Sequence, residues 1–246
     1  MLARRIIPTL LVSGRNLVKG QRFNSWRVVG SAMQAARVHQ GREVDELVIL
    51  DVAATREGRS PDLGMIAELA SECRMPLAVG GGIRTVKDVR QLLRHGADKV
   101  VIGTSAIEQP DFVREVSDTF GAQAVVVALD VLKSHCHTRC GVRITHGAPA
   151  HWASEMQARG AGELLLQSID RDGTMQGYDL DLIRDVSAAV SIPVIASGGC
   201  SGYEDMLAAF EAGADACAAG ALFQFMDATP KGAAQFLKQH GLEVRL

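Results

Sequence analysis

Eight short runs rich in Val, Ile and Leu, separated by eight helix-like stretches, constrain this chain more than any other feature. The runs lie at 5–12, 46–52, 76–80, 98–103, 123–130, 162–168, 192–197 and 215–220. They are mostly apolar on both faces, the pattern of strands in a parallel sheet that is covered on both sides. The helical stretches fall near 30–40, 61–73, 86–95, 110–119, 150–159, 179–190, 203–212 and 230–240. In 61–73 the apolar residues recur at helical spacing, and Pro61 stands where a helix would begin. Strict alternation of this kind predicts an α/β fold, a closed (β/α)8 TIM barrel. An open doubly wound sheet usually has fewer strands and a glycine-rich loop after the first, and no such loop follows residue 12. There is no linker or low-complexity stretch, so residues 1–246 are expected to form one barrel.

The two halves of the chain repeat. Pro76-Leu77-Ala78-Val79-Gly80-Gly81-Gly82 recurs 117 residues later as Pro193-Val194-Ile195-Ala196-Ser197-Gly198-Gly199. Gly96-Ala97-Asp98 recurs as Gly213-Ala214-Asp215, and Gly103 as Gly220, at the same offset. Asp51 and Thr55 align with Asp170 and Thr174 at an offset of 119. A repeat of this length is half a barrel and implies duplicated ligand sites. Glycines that end a strand let backbone N–H groups approach an anion closely. Gly81 and Gly82 with Gly103 and Thr104 therefore form one candidate phosphate grip. Ser197, Gly198 and Gly199 with Gly220 and Ala221 form the other, and a phosphorylated small molecule with a phosphate at each end is the expected ligand.

The charge balance, 26 Lys plus Arg against 28 Asp plus Glu, suggests neither a nucleic-acid nor a membrane surface. Residues 1–12 are basic and then apolar, like the start of a signal peptide. Pro8 interrupts them and no small-residue cleavage site follows, so they read as a first strand. Five cysteines do not make a disulfide framework in a chain of this length, and a cytoplasmic protein is expected. Cys136 and Cys140, with His135 or His137, approach zinc-ligand spacing. No second pair follows at finger spacing, so the stretch reads as a solvated loop with incidental thiols; neither a metal site nor a cofactor is expected. Phe23 and Trp26, in the loop after the first strand, are candidates to cover a ligand or partner, or to anchor the loop.

Over nearly its whole length the chain resembles the cyclase subunit of imidazole glycerol phosphate synthase (HisF). The resemblance is carried by Val44-Asp45-Glu46-Leu47 with Leu50-Asp51, by Val79 to Ile83, by Gly96-Ala97-Asp98-Lys99-Val100, and by Ser168-Ile169-Asp170-Arg171-Asp172-Gly173-Thr174. It implies a heterodimer with a glutaminase subunit, whose ammonia crosses the barrel to its C-terminal face. There the ammonia reacts with a bis-phosphorylated aminoimidazole carboxamide ribotide, giving imidazole glycerol phosphate and releasing the aminoimidazole carboxamide ribotide. Two aspartates, at the ends of strands one and five, supply acid–base catalysis in that family. The resemblance assigns Asp130 to the strand-five acid, Lys19, Asp51, Asp172 and Gly173 to the ligand mouth, and Arg5, Glu46, Lys99 and Glu163 to a charged ring at the ammonia entrance. It assigns Asp98 to the glutaminase interface.

The chain departs from that pattern at specific places. The strand-one acid is expected at position 11, where Leu11 stands, and the internal repeat likewise pairs Leu11 with Asp130. Gly103 replaces an asparagine, residues 134–149 are shorter and unlike the family, and Gly30-Ser31-Ala32 replaces a Gly-Asp-Pro. A lost acid with a retained entrance ring resembles a side branch of the family associated with surface-polysaccharide genes. Members of that branch are held to pass ammonia to an ATP-dependent ligase that converts an acetamido sugar to an acetamidino sugar. The reading for this chain is a HisF-like conduit subunit. The alternatives are an active cyclase, with Asp51 or Asp172 joining Asp130, and another phosphosugar isomerase on the same half-barrel plan.

Overall fold

A computed structural model describes residues 4–42 and 44–244. The elements run β1 (Arg5–Ser13), β2 (Asn16–Gln21), β3 (Asn24–Ser31), α1 (Ala32–Gly41), β4 (Leu47–Asp51), α2 (Ala54–Glu57), α3 (Leu63–Glu72) and β5 (Leu77–Gly80). They continue with α4 (Val86–Arg94), β6 (Lys99–Ile102), α5 (Thr104–Glu108), α6 (Asp111–Phe120), β7 (Val125–Leu132), β8 (His135–Thr138) and β9 (Arg143–Ile144). The last third holds α7 (Pro149–Ala158), β10 (Glu163–Ser168), α8 (Leu180–Ala189), β11 (Val194–Ser197), α9 (Tyr203–Glu211), β12 (Ala216–Ala219), α10 (Ala221–Phe225) and α11 (Pro230–Gln239).

Eight strands pair in parallel and close on themselves, in the order β1-β4-β5-β6-β7-β10-β11-β12 and back to β1. This is the (β/α)8 barrel. Side chains alternate across each strand, which separates two apolar layers. Ile6, Leu10 and Val12 of β1 pack outward under the helices. Ile7 packs inward with Val48, Val101, Val126, Leu165 and Ile195 and fills the barrel interior. The half-barrel repeat is visible in hydrogen bonding. Asp98 accepts from the backbone N–H of Leu77 at 2.8 Å, and Asp215 accepts from that of Val194 at 2.9 Å.

The structure corrects several expectations. The stretch after the first strand is not a loop: β2 and β3 form an antiparallel hairpin that extends β1. The 134–149 stretch is not simply a solvated loop either. It holds β8 and β9, paired antiparallel to β7 and to each other, and Cys136 is buried within it. The helix expected from Pro61 starts two residues later, because Asp62 caps it by accepting from the N–H of Met65. No helix among the described residues is long and apolar enough to cross a membrane.

Candidate functional site

At the N-terminal ends of the strands, four charged side chains close a ring. Arg5 donates to Glu46 at 2.7 Å and to Glu163 at 3.1 Å, and Lys99 bridges Glu46 and Glu163 at 2.9 Å each. Each cation touches both anions, so the ring is neutral overall. That neutrality permits Glu46 to be 2% exposed, because an unpaired carboxylate there would be prohibitively desolvated. One Glu46 oxygen, Oε1, still has no partner. Asp98, expected at the same face, is exposed there and accepts from the Leu77 N–H at 2.8 Å.

The opposite end opens into a cavity of about 610 Å3. Its floor is apolar, formed by Leu11, Leu50, Val101, Ala128 and Leu165, and its wall carries Asp130, Gln167 and Asp172. Phe23 and Trp26 of the first hairpin line it as well, so they cover the mouth rather than standing clear of it. Leu11 also lines a smaller neighbouring cavity of about 40 Å3. Position 11 therefore lies where the two compartments meet.

The carboxylates of the mouth differ in freedom. Asp130, on β7, has no hydrogen-bond partner for its carboxylate among the described residues. Burial, reinforced by the charge of Asp172, pushes its pKa up to about 7. The pKa of Asp172 is raised by burial and held back by Lys19, while Gln167 donates to it at 3.3 Å. Asp51 is different. Its Oδ1 accepts from the N–H groups of Ala53 and Ala54, and Arg59 grips both of its oxygens at 2.6 and 3.2 Å. Asp51 lines the cavity but is committed to fixing the β4–α2 turn, which removes it as a free acid.

The two glycine-rich grips form as separate clusters. Gly81 and Gly82 adopt φ of +110° and +69°, and with Gly103 and Thr104 they line the large cavity. Gly198 and Gly199 adopt φ of +95° and +101°, and with Ser197, Gly173, Gly220 and Ala221 they line the small one. Lys19 on β2 reaches into that second cluster. A Cβ at position 220 would collide with its ammonium nitrogen, so the close approach requires glycine. Lys19 is 7% exposed and has no ion pair or hydrogen bond among the described residues. Burial lowers its pKa to about 8, opposed by the negative charge of Asp172. A buried, unpaired cation among glycine turns suits an anion. At the first cluster Thr104 is partly used, since its hydroxyl accepts from the Arg139 N–H at 2.9 Å. Gly103 is not sterically required: the nearest atom to a Cβ there would be 3.7 Å away.

Comparison with known proteins now decides the family. A model of the histidine biosynthesis protein family matches residues 5–229. The "Imidazole glycerol phosphate synthase subunit HisF" of Dictyoglomus thermophilum is 43% identical over 251 aligned residues, covering all of both chains. The proteins of the same name from Chlorobium limicola and Chlorobium phaeobacteroides are also 43% identical over the full length of both chains. The chain belongs to the HisF family. Its relatives are named as subunits of imidazole glycerol phosphate synthase, and the closed barrel agrees with that kinship.

Within the HisF family fold, this chain brings Asp130, Asp172, Lys19 and both glycine clusters to one face, and Arg5, Glu46, Lys99 and Glu163 to the other. What it lacks at the mouth is a second carboxylate on β1. Sequence reasoning missed Arg59, which ties up Asp51, and Glu108, which pairs with Arg139 and Arg143 beside the first grip. Neither sits in a motif, and Glu108 meets its two arginines only because the β8–β9 hairpin folds back over α5. Among the described residues, no group of three or more His, Cys, Asp and Glu is placed to hold a metal ion.

Proposed function

We propose that this barrel is the ammonia-receiving subunit of a glutamine-dependent amidotransferase, paired as a heterodimer with a glutaminase in a cytoplasmic complex. The observation that carries this reading is the contrast between its two ends. The Arg5–Glu46–Lys99–Glu163 ring is complete, while the mouth holds Leu11 where an acid–base partner for Asp130 would stand. An isobutyl group neither accepts nor donates a proton, and a single acid–base group contributes roughly 10²–10⁴-fold in rate. Ammonia that enters through the ring and crosses the apolar interior is then passed on rather than consumed by cyclisation. The acceptor in this reading is an ATP-dependent ligase that forms an acetamidino sugar for surface polysaccharide, as the resemblance of the retained and lost residues to that branch suggests.

The test is the cyclase reaction with ammonium salt at alkaline pH, using the bis-phosphorylated aminoimidazole carboxamide ribotide. Wild type is expected to be inactive and Leu11→Asp to gain turnover by at least a hundredfold. Efficient turnover by wild type would overturn the proposal. One observation favours a second reading, an active cyclase of histidine biosynthesis. Asp130 and Asp172 are electrostatically coupled at the mouth, so Asp172 is the group that would stand in for the lost acid. Turnover by wild type that Asp172→Asn abolishes would establish it.

A further inference from the structure

Six large hydrophobic side chains are exposed among the described residues, and five of them lie on the two hairpins and α10, which follow β1, β7 and β12 at the mouth end of the barrel. Val142 and Ile144, 77% and 59% exposed, project from the β8–β9 hairpin. Val28, on β3, is 63% exposed, and Phe225 and Met226 at the end of α10 are 46% and 53% exposed. The sixth, Val38, lies on α1. The five belong to a linked structure. A Cβ at Gly141, beside Val142, would lie 3.6 Å from the ring of Phe23 at the tip of the first hairpin. Further along that hairpin, the Arg27 guanidinium sits 5.8 Å from the centre of the Phe225 ring. The two hairpins and α10 thus make a ridge beside the cavity opening.

Cations accompany the ridge. Arg22, Arg27, Arg56 and Arg84 are exposed and form no ion pair among the described residues. Arg22, Arg56 and Arg84 donate to the backbone carbonyls of Asp170, Phe23 and Gly58, and Arg56 also touches the Cys140 thiol, but none of them meets an acid among the described residues. Exposed apolar side chains gathered on one face mark an interaction surface, and arginines left without acids complement negative charge.

We infer that this ridge docks the protein that consumes the ammonia, through a surface on that protein with an apolar centre and an acidic rim. The inference rests on the proposed function, in which ammonia leaves by the mouth. Ammonia released into water at neutral pH becomes ammonium, which is no nucleophile, so the consumer must seal against the opening. Apolar contacts along the two hairpins and α10, beside the cavity opening, supply that seal. A lipid surface pressed on the same ridge would close the mouth without presenting an acceptor.

The experiment measures binding of the barrel–glutaminase complex to the ATP-dependent ligase of the proposed reaction by isothermal titration calorimetry. It compares wild type with Ile144→Glu combined with Met226→Glu. Both positions are exposed and neither lines the cavity, so the fold and the glutaminase pairing are expected to persist. The expected result is at least a tenfold weakening in the variant, with wild-type affinity falling as salt rises. Equal binding by variant and wild type would overturn the ridge while leaving the conduit reading intact. No binding by wild type would overturn both. Light scattering adds one more outcome: self-association of wild type that the variant abolishes would assign the ridge to a second copy of this chain and overturn the inference. Vesicles of anionic lipid that bind wild type but not the variant would overturn it in the same way.

Discussion

Asp130→Asn tests the electrostatics of the mouth directly. The unfolded chain releases the Asp130 proton near pH 3.8, whereas the folded protein holds it to about pH 7. Between these values the native state binds a proton that the unfolded state has lost, so wild-type stability falls as pH rises and levels off above pH 7. At about 1.36 kcal/mol per pH unit, the whole interval corresponds to about 4 kcal/mol. The part between pH 5.5 and 7 is about 2 kcal/mol, and because Asp130 is partly open to the cavity, about 1–2 kcal/mol is expected to be realised. Asparagine keeps the shape and cannot ionise. Urea unfolding of both proteins at pH 5.5 and pH 8.0 should therefore show Asp130→Asn gaining about 1–2 kcal/mol relative to wild type at the higher pH. A difference that does not change with pH would mean that Asp130 ionises as an ordinary carboxylate, and the burial argument would fail.

Lys99→Met opens the entrance ring and leaves Glu46 and Glu163 to share Arg5. A loss of about 2–4 kcal/mol in urea unfolding is expected, because Glu46 is buried with one cation fewer. Gly81→Ala places a Cβ against the backbone of Asp51 at a φ of +110°, and a cost above about 2 kcal/mol should lower the melting temperature. Gly30→Ala, with open space around the added methyl, should shift stability by less than about 0.5 kcal/mol in the same melt. If the second grip holds an anion through Lys19, affinity for inorganic phosphate should fall as pH rises past about 8, where the ammonium is lost. In calorimetry, Lys19→Met should bind weakly at every pH and lose that dependence.

The eight barrel strands were legible because each is a short, mostly apolar run, and burial on both faces demands such a run. The two hairpins were not, and their turns explain why. Tight two-residue hairpin turns favour Asn-Gly or Asp-Gly, because both central residues adopt positive φ. Here Gln21 pairs with Asn24 across Arg22 and Phe23, whose φ values are +50° and +59°. The β8–β9 hairpin is joined to β7 by a turn of the same kind, in which Leu132 pairs with His135 across Lys133 and Ser134, at +49° and +63°. Arg, Phe and Lys carry no turn signal and Ser only a weak one, and both hairpins are held by extending β1 and β7 rather than by a hydrophobic period of their own. Part of the site was legible for a similar reason: the glycine clusters recur at fixed offsets. Lys19, Asp130 and the ring were expected only from the resemblance to the HisF family. The fate of Asp51 could not be read from the sequence, because Arg59 belongs to no repeat and its grip on both Asp51 oxygens depends on the path of the α2 turn.

Arg5, Ile7, Thr9 and Leu11 occupy the same face of β1 and span the barrel from entrance to mouth. The strand registers against β4 through its backbone, Leu11 beside Leu50, so a change of side chain at position 11 leaves the Arg5 ring in place. The two ends of one strand can therefore vary independently. The substitution also does more than delete a proton carrier. Leu11 joins Leu50 and Leu165 on the cavity floor and carries the apolar interior of Ile7, Val48 and Val101 up to the opening. In the proposed function, ammonia, a neutral molecule, gains a longer dry path, while an aspartate at the same position would bring a charge, and with it water, to the floor. Leu11→Asp should therefore oppose conduction to an outside acceptor by the same change that restores an acid facing Asp130. In a reconstituted complex, glutamine-driven transfer to the ligase should drop in that variant even as its cyclase turnover rises.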